Sequence, residues 1–510
     1  MAHNQHLTAE SNWQALTAKR AAFMDRCELY ASYTLPKICP PRGYDQNTHE
    51  LSHDYQAVGA QATNHLANKI MLSLFAPSRP FFRADPDDKM AASFAEQQIT
   101  PATVAEALAQ AEKAAVNKLD RMALRPKLYE VIKHLIITGN VLYYMHEKES
   151  RVIGLNKYLV RRSPSGRIVE CMIGDRVRVD ELSEAVQRAM QPRRNADDEV
   201  NHYRWFTRKG DDFVMTQWID SQRLPENFNG KWSEETCPYR VLTWDLSDGA
   251  DYGTGLVEDY SADFAGLSAL SRAQVVGAVL ASEFRWLVNP AGMTKPEDFE
   301  ASQNGSAIPG NEGDIVLIQS GKANDLQVTL NLSTEYVNRI GRGFLLGASL
   351  VRNAERVTAE EIRLLANELE TALGGAYSRL AVDIQLPMAR WLMDMIGLTM
   401  NGSGFQPTIV TGLEALSRNG DLEELKALFM DLALVAQLPE VLQDRLQMEE
   451  VMKAFAAARR VQIASLFKSE QQLQQEQQAA QQQQIEQAAA TGAIDASAKA
   501  AAQPQGQPVE

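Results

Sequence analysis

RVTAEEIRLLANELETALGGAYSRL, residues 356–380, begins with a complete set of helix-start signals. Thr358 is a good N-cap, and Glu361 three residues on completes a T-x-x-E capping box. Glu360 and Glu361 fall in the first turn, where the helix dipole favours negative charge. Ile362, Leu365, Leu369 and Leu373 recur at three- and four-residue spacing and draw one apolar stripe. Gly374-Gly375 should weaken or bend the helix, yet Tyr377, Leu380 and Ile384 carry the period on to Leu386-Pro387. By itself the stretch is an amphipathic helix lying on a core, and it holds no catalytic constellation.

Upstream of it, polar VRNAE (351–355) follows TEYVNRIGRGFLLGASL (334–350), which reads as a helix. Before that, Asn289 to Asp325 is rich in turns (NPAG, NGS, PGNEG, SGKAND), with one strand-like run, DIVLIQS (314–320). From Trp286 to Leu326 there are six carboxylates against two lysines. A long small-residue helix, LVEDYSADFAGLSALSRAQVVGAVLASEF (256–284), comes first. Two helices bracketing a compact mixed insertion describe a stalk carrying a small head. Further upstream, helices are expected over 10–35, 55–75, 100–125 and from Pro126 to about Gly139. Between 140 and 246 short β-like runs alternate with turns such as SPSG (163–166) and RKGDD (208–212), which predicts a mainly antiparallel sheet. Trp205, Phe206, Trp218 and Trp244 are expected in its core. The chain reads as helical again from Gly412 through Lys468, and a Gln/Ala-rich tail follows that cannot bury a core by itself.

The 510 residues exceed the usual single-domain size, and a 45% hydrophobic content can fill a sizeable core. A net charge of −14 argues against tight wrapping of nucleic acid, though not against letting it slide past. Cys27, Cys39, Cys171 and Cys237 are scattered without C-x-x-C, as expected of reduced thiols. No apolar run reaches membrane-span length, and the N-terminus lacks a signal pattern, so a soluble protein without a membrane partner is expected.

Several motifs resemble chemistry without completing it. HELSH, His49 to His53, satisfies H-E-x-x-H, the pattern of a helical zinc site with a catalytic glutamate. It follows a loop rich in Pro, Gly, Asp and Asn, and Gln56 and Gly59 replace the Gly and His of the metzincin continuation. A zinc hydrolase using His49, Glu50 and His53 is therefore the alternative reading. GTGLVE (253–258) lacks the third glycine of a dinucleotide loop, and GSAIPGN (305–311) has Asn311 where a phosphate loop needs lysine. Asp245, Asp248 and Asp251 lack the twelfth-position glutamate of a calcium loop. No catalytic residue, metal ligand or cofactor is assigned.

The pieces together resemble one family, the portal or head-to-tail connector proteins of short-tailed double-stranded DNA bacteriophages. The residues that carry the resemblance are YQAVGAQATNHLANKIMLSLF (55–75), GNVLYY (139–144), LVNPAG (287–292), the 356–380 stretch, LP (386–387) and TGLEAL (411–416). They fall in the family's order across roughly residues 20–430.

The resemblance implies an α+β, mainly helical portal fold that assembles as a ring of about twelve copies around a central channel. On that template residues 1–255 form the wing, including the sheet at about 140–246. Residues 256–285 and 327–346 form two stem helices, 286–326 the clip and 347–357 the tunnel loop. Residues 358–411 form the wing helix, 412–469 the crown and 470–510 the tail. Arg352, Asn353 and Arg356 are then candidates for facing DNA, and Lys295, Glu297, Asp298 and Lys322 for clip contacts. Implied partners are duplex DNA, the terminase large subunit, scaffolding and major capsid proteins, tail adaptors and internal core proteins. The implied location is the virion's portal vertex, with the host cytoplasm during assembly.

Overall fold

Arg20 divides the first helical segment. The sequence predicts one helix over 10–35; the computed structural model has two, α1 (Ala9–Lys19) and α2 (Ala21–Tyr33). Arg20 sits between them, 6% exposed, and its guanidinium donates to the carbonyls of Leu155 (2.8 Å) and Tyr158 (2.7 Å). Turning that charge inward onto carbonyl acceptors ties the helical break to the sheet. The structure describes residues 8–409 apart from 77–79, 98, 100, 283–284, 319–322, 347–367, 370 and 399–404, and beyond them Met430. The chain divides into two compact units, residues 1–413 and 414–510, and every described residue except Met430 belongs to the first.

Helix α3 (Val58–Leu74) buries Ala62, Leu66, Ala67, Ile70 and Leu74. After strand β1 (Phe82–Pro86) come α4 (Asp88–Glu96), which the sequence reading did not mark, α5 (Pro101–Arg121) and α6 (Leu124–Thr138). The expected boundary before Pro126 moves to Ala123, whose φ of +50° breaks the chain there; Pro126 lies in the first turn of α6, where its missing N–H costs nothing. The main core gathers α2, α3, α5, α6 and the helical segment 375–395.

The region 140–246 is antiparallel, as expected. One sheet of three strands joins β2 (Asn140–Tyr144), β3 (Arg151–Ile153) and a later strand, Tyr239–Thr243. A second sheet holds β4 (Tyr158–Arg162), β5 (Ile168–Arg178), β6 (Glu199–Lys209), β7 (Asp212–Ile219), β8 (Gln222–Arg223) and β9 (Gly230–Ser233). The Tyr239–Thr243 strand is β10. SPSG and RKGDD turn the chain between β4 and β5 and between β6 and β7. Trp205, Phe206 and Trp244 are buried, while Trp218 is half-buried. The sequence reading omits α7 (Glu184–Ala189), whose Val186 packs with Val179, Leu182, Met190 and Val200 in a separate small core.

GNVLYY and GTGLVE meet. Gly139 caps α6 in the left-handed region (φ +72°), and a Cβ there would lie 2.3 Å from the Thr254 backbone. Asn140 donates to the Gly253 carbonyl (2.6 Å) and accepts from the Gly253 N–H (2.8 Å). The glycines of GTGLVE thus serve close backbone approach, not a phosphate.

Candidate docking head and channel flank

Helix α8 (Leu256–Asp259) leads into α9 (Ser261–Ser282), and α11 (Ala323–Gly343) runs antiparallel beside it. Between them lie β11 (Arg285–Val288), α10 (Pro296–Glu300) and β12 (Ile315–Ile318). The residue pattern starts the second helix at 334 and the family resemblance at 327. It starts at Ala323, because Leu326, Ser333, Tyr336 and Ile340 form one continuous face toward α9 or the core. Small residues set the approach of the pair: Gly266 faces the Tyr336 ring, Gly277 faces Leu326 and Gly343 faces Tyr260. Polar pins keep the register, Arg339 with Asp263 at 3.4 Å and the Gln274 amide donating to Ser333 Oγ at 2.7 Å.

The same antiparallel register continues past the helices. Trp286 pairs with Leu317, Leu287 with Val316 and Val288 with Ile315. The head beyond the strands is organised by one carboxylate. Asp314, 6% exposed, accepts from the N–H groups of Thr294 (3.1 Å), Met293 (3.0 Å) and Asn311 (3.4 Å), and from the Thr294 hydroxyl (2.9 Å). The bonds from Thr294, then those from Asn311 and Met293, hold its carboxyl below the usual range. GSAIPGN belongs to this network through the Asn311 N–H.

Lys295, Glu297 and Asp298 come together on one exposed turn: Lys295 is the N-cap of α10 and the two acids occupy its first turn. Lys322 lies outside the described residues, as do Arg352, Asn353, Arg356 and the capping box at Thr358. What the structure places is the flank of that second group. His65 and Lys69, one turn apart on α3, reach its two sides. His65 Nε2 donates to the Leu345 carbonyl (3.1 Å), and Lys69, whose side chain is 3% exposed, pairs with Glu368 at 3.2 Å. Ser73 bonds the Tyr377 hydroxyl, and the buried Gln385 amide donates to the Leu74 carbonyl. Helix α3 is therefore packed against Glu368, Tyr377 and Gln385, the described end of the 356–380 stretch and its continuation. Gly374 (φ +52°) breaks the helix where the sequence reading places a bend, and a π turn, Ala381–Gln385, delivers Gln385 to α3.

HELSH lies in a loop. His49 Nδ1 hydrogen-bonds Thr48 Oγ1 (2.8 Å), and no cluster of three metal-ligating side chains occurs among the described residues. Without a helix the two histidines do not share a face, so the zinc alternative loses its geometry. Asp251 accepts from the Arg162 N–H (2.7 Å), and Asp245 bridges to Thr254, which makes that segment a structural turn. All four cysteines are free and buried, and burial raises each thiol, Cys39 to about 12.

Residues 7–462 match the family described as bacteriophage head to tail connecting protein. The chain belongs to that family. The portal protein of Enterobacteria phage SP6 is 33% identical over 91% of this chain and 90% of its own. That of Escherichia phage T7 is 31% identical over 82% and 80%, and that of Pseudomonas phage phiKMV 32% over 92% and 93%. The neck of an empty GTA particle aligns over 77% of this chain at 12% identity and a TM-score of 0.37, below the level at which a shared fold can be read. As a connector, the chain is a structural component that joins the phage head to the tail, and its α+β, mainly helical architecture agrees with the expected fold class. For a connector, the informative features that sequence reasoning missed are the buried Lys69 with its half-buried partner Glu368 and the apolar exterior of the paired helices. A lysine on the apolar stripe of α3, between Leu66 and Ile70, was the available signal for the first.

Proposed function

We propose that the protein assembles as a ring of about twelve copies at one capsid vertex, with an axial channel through which double-stranded DNA is packaged and ejected. The observation that carries this reading is the distribution of exposed apolar surface. Of 17 exposed large hydrophobic residues among those described, 13 lie between Val275 and Leu332, including Val276, Leu280, Leu287, Val316, Val328 and Leu330. A monomer rarely leaves so concentrated an apolar surface to water. Head-to-tail packing of identical copies, each offering two different faces, covers it and closes into a ring.

In this assembly α9 and α11 are the stem, and residues 286–326 the clip. The exposed turn of Lys295, Glu297 and Asp298, with Lys322, meets the terminase large subunit and then tail adaptors. The other partners in this reading are scaffolding, major capsid and internal core proteins, encountered in the host cytoplasm. Arg352, Asn353 and Arg356 face the DNA backbone without reading sequence, within an otherwise acidic chain that does not grip the duplex.

Two experiments test the reading. Val276→Asp with Leu330→Asp places charges on the apolar stem surface; the variant is expected to stay folded by circular dichroism but fail to form rings. Rings of unchanged mass would contradict the assembly surface. Arg352→Ala with Arg356→Ala is expected to leave rings intact while DNA packaging or retention drops about tenfold, the loss of two phosphate contacts. Normal packaging would remove these arginines from the channel.

A further inference from the structure

A cavity of about 510 Å³ opens between the two sheets and the helical segment 375–395. Its floor is apolar, with buried Phe206 and Leu242 and the side chain of Leu386. Its walls carry five guanidiniums, those of Arg162, Arg167, Arg240, Arg379 and Arg390. That size, with an apolar floor and a few convergent polar groups, is what small-ligand sites have.

The positive charge is incompletely answered. Glu235 is taken by Arg390 at 3.3 Å, and Glu234 by Arg208 and by Arg167 at 3.5 Å. Arg379 comes no closer than 4.0 Å to Asp245. The guanidinium of Arg162 donates to the carbonyls of Asp251 (3.2 Å) and Gly166 (2.9 Å), and that of Arg240 to the carbonyls of Glu234 (2.8 Å) and Glu235. Arg240 Nε is buried with no partner. Burial lowers the pKa of both arginines, and it raises that of Asp383, the remaining carboxylate on the wall, against the pull of Arg379, Arg162 and Arg240. Carbonyl dipoles orient a buried cation but do not neutralise it, so an arriving anion gains more here than at a hydrated surface.

We propose that this cavity binds an organic oxyanion, a phosphate or carboxylate held by Arg162, Arg240 and Arg379 and carried on an aromatic or branched apolar body that rests on Phe206 and Leu242. A guanidinium fork matches either oxyanion through two parallel hydrogen bonds. The apolar floor selects against bare inorganic ions.

The test is calorimetric titration of the purified full-length protein with phenyl phosphate and with phenylacetate, beside inorganic phosphate and benzyl alcohol. One of the two phenyl anions is expected to bind saturably, once per chain, and about tenfold tighter than inorganic phosphate or benzyl alcohol. Tighter phenyl phosphate assigns a phosphate ester; tighter phenylacetate assigns a carboxylate ligand such as an acidic side chain. Arg240→Gln should abolish binding. Because Arg240 is largely enclosed, Val382 at the cavity's exposed rim (58% exposed) supplies a second pair of variants that should not disturb the fold. Val382→Glu should weaken binding and Val382→Lys strengthen it, each about threefold. No saturable binding of either phenyl anion, binding no tighter than inorganic phosphate, or equal affinity in both Val382 variants would overturn the proposal.

Discussion

His134 lies buried in α6, with Nδ1 unpartnered, and burial pushes it down to about 4 from an ordinary 6.5. In the folded chain it is neutral over a range where the unfolded chain takes up a proton. Its stabilising contribution is therefore fully present above pH 6.5 and is lost as pH falls toward 4, by about 3 kcal/mol in total. Denaturant unfolding at pH 7 and pH 4.5 checks this: wild type should lose about 2 kcal/mol more between the two than His134→Leu does. Equal losses would assign the acid sensitivity to other groups. Residues of this kind are hard to read in a sequence. His134 looks like any polar interruption of an apolar helix, and Lys69 finds Glu368 across 299 residues. Asn140, by contrast, stood beside Gly139 in a legible helix end, and only its partner Gly253 was hidden.

Local chemistry made many elements legible. SPSG and RKGDD marked their turns because glycine in the left-handed region, Gly166 and Gly210, is what tight hairpins require. The bend at Gly374-Gly375 was readable for the same reason. The break at Arg20 was not, since it depends on carbonyls of Leu155 and Tyr158 brought there by the sheet. Nor was the pairing of β1 with the strand Phe405–Ile409, which joins segments more than 300 residues apart. In the head beyond α9 and α11, the strand run 314–320 was visible, but the role of its first residue was not. Asp314→Ala should release the Met293–Thr294 and Asn311 turns together. Limited proteolysis between 289 and 314 is expected to accelerate about tenfold while the remainder of the chain stays intact. Acid should mimic the variant: Asp314 holds its four donors above the usual carboxylate range and releases them as pH falls through its lowered pKa. Unchanged cleavage in Asp314→Ala would show that the hairpin alone holds the head.

For the whole molecule, the 356–380 sequence and the motifs that stand with it in the family's order point to the connector family, and the family match over residues 7–462 bears that out. Composition contributed the acidic balance but no architecture. The apolar exterior of the paired helices was not legible, because the mild amphipathicity of 256–284 gives no sign of which face a neighbouring copy would cover. That surface also makes the central claim directly measurable. The decisive measurement is the native mass of the purified protein, with negative-stain images of the same fraction. Twelve chains of 56.6 kDa give roughly 680 kDa and a ring with an axial hole, which is the expected result. A monomer or dimer at every protein and salt concentration would contradict the account.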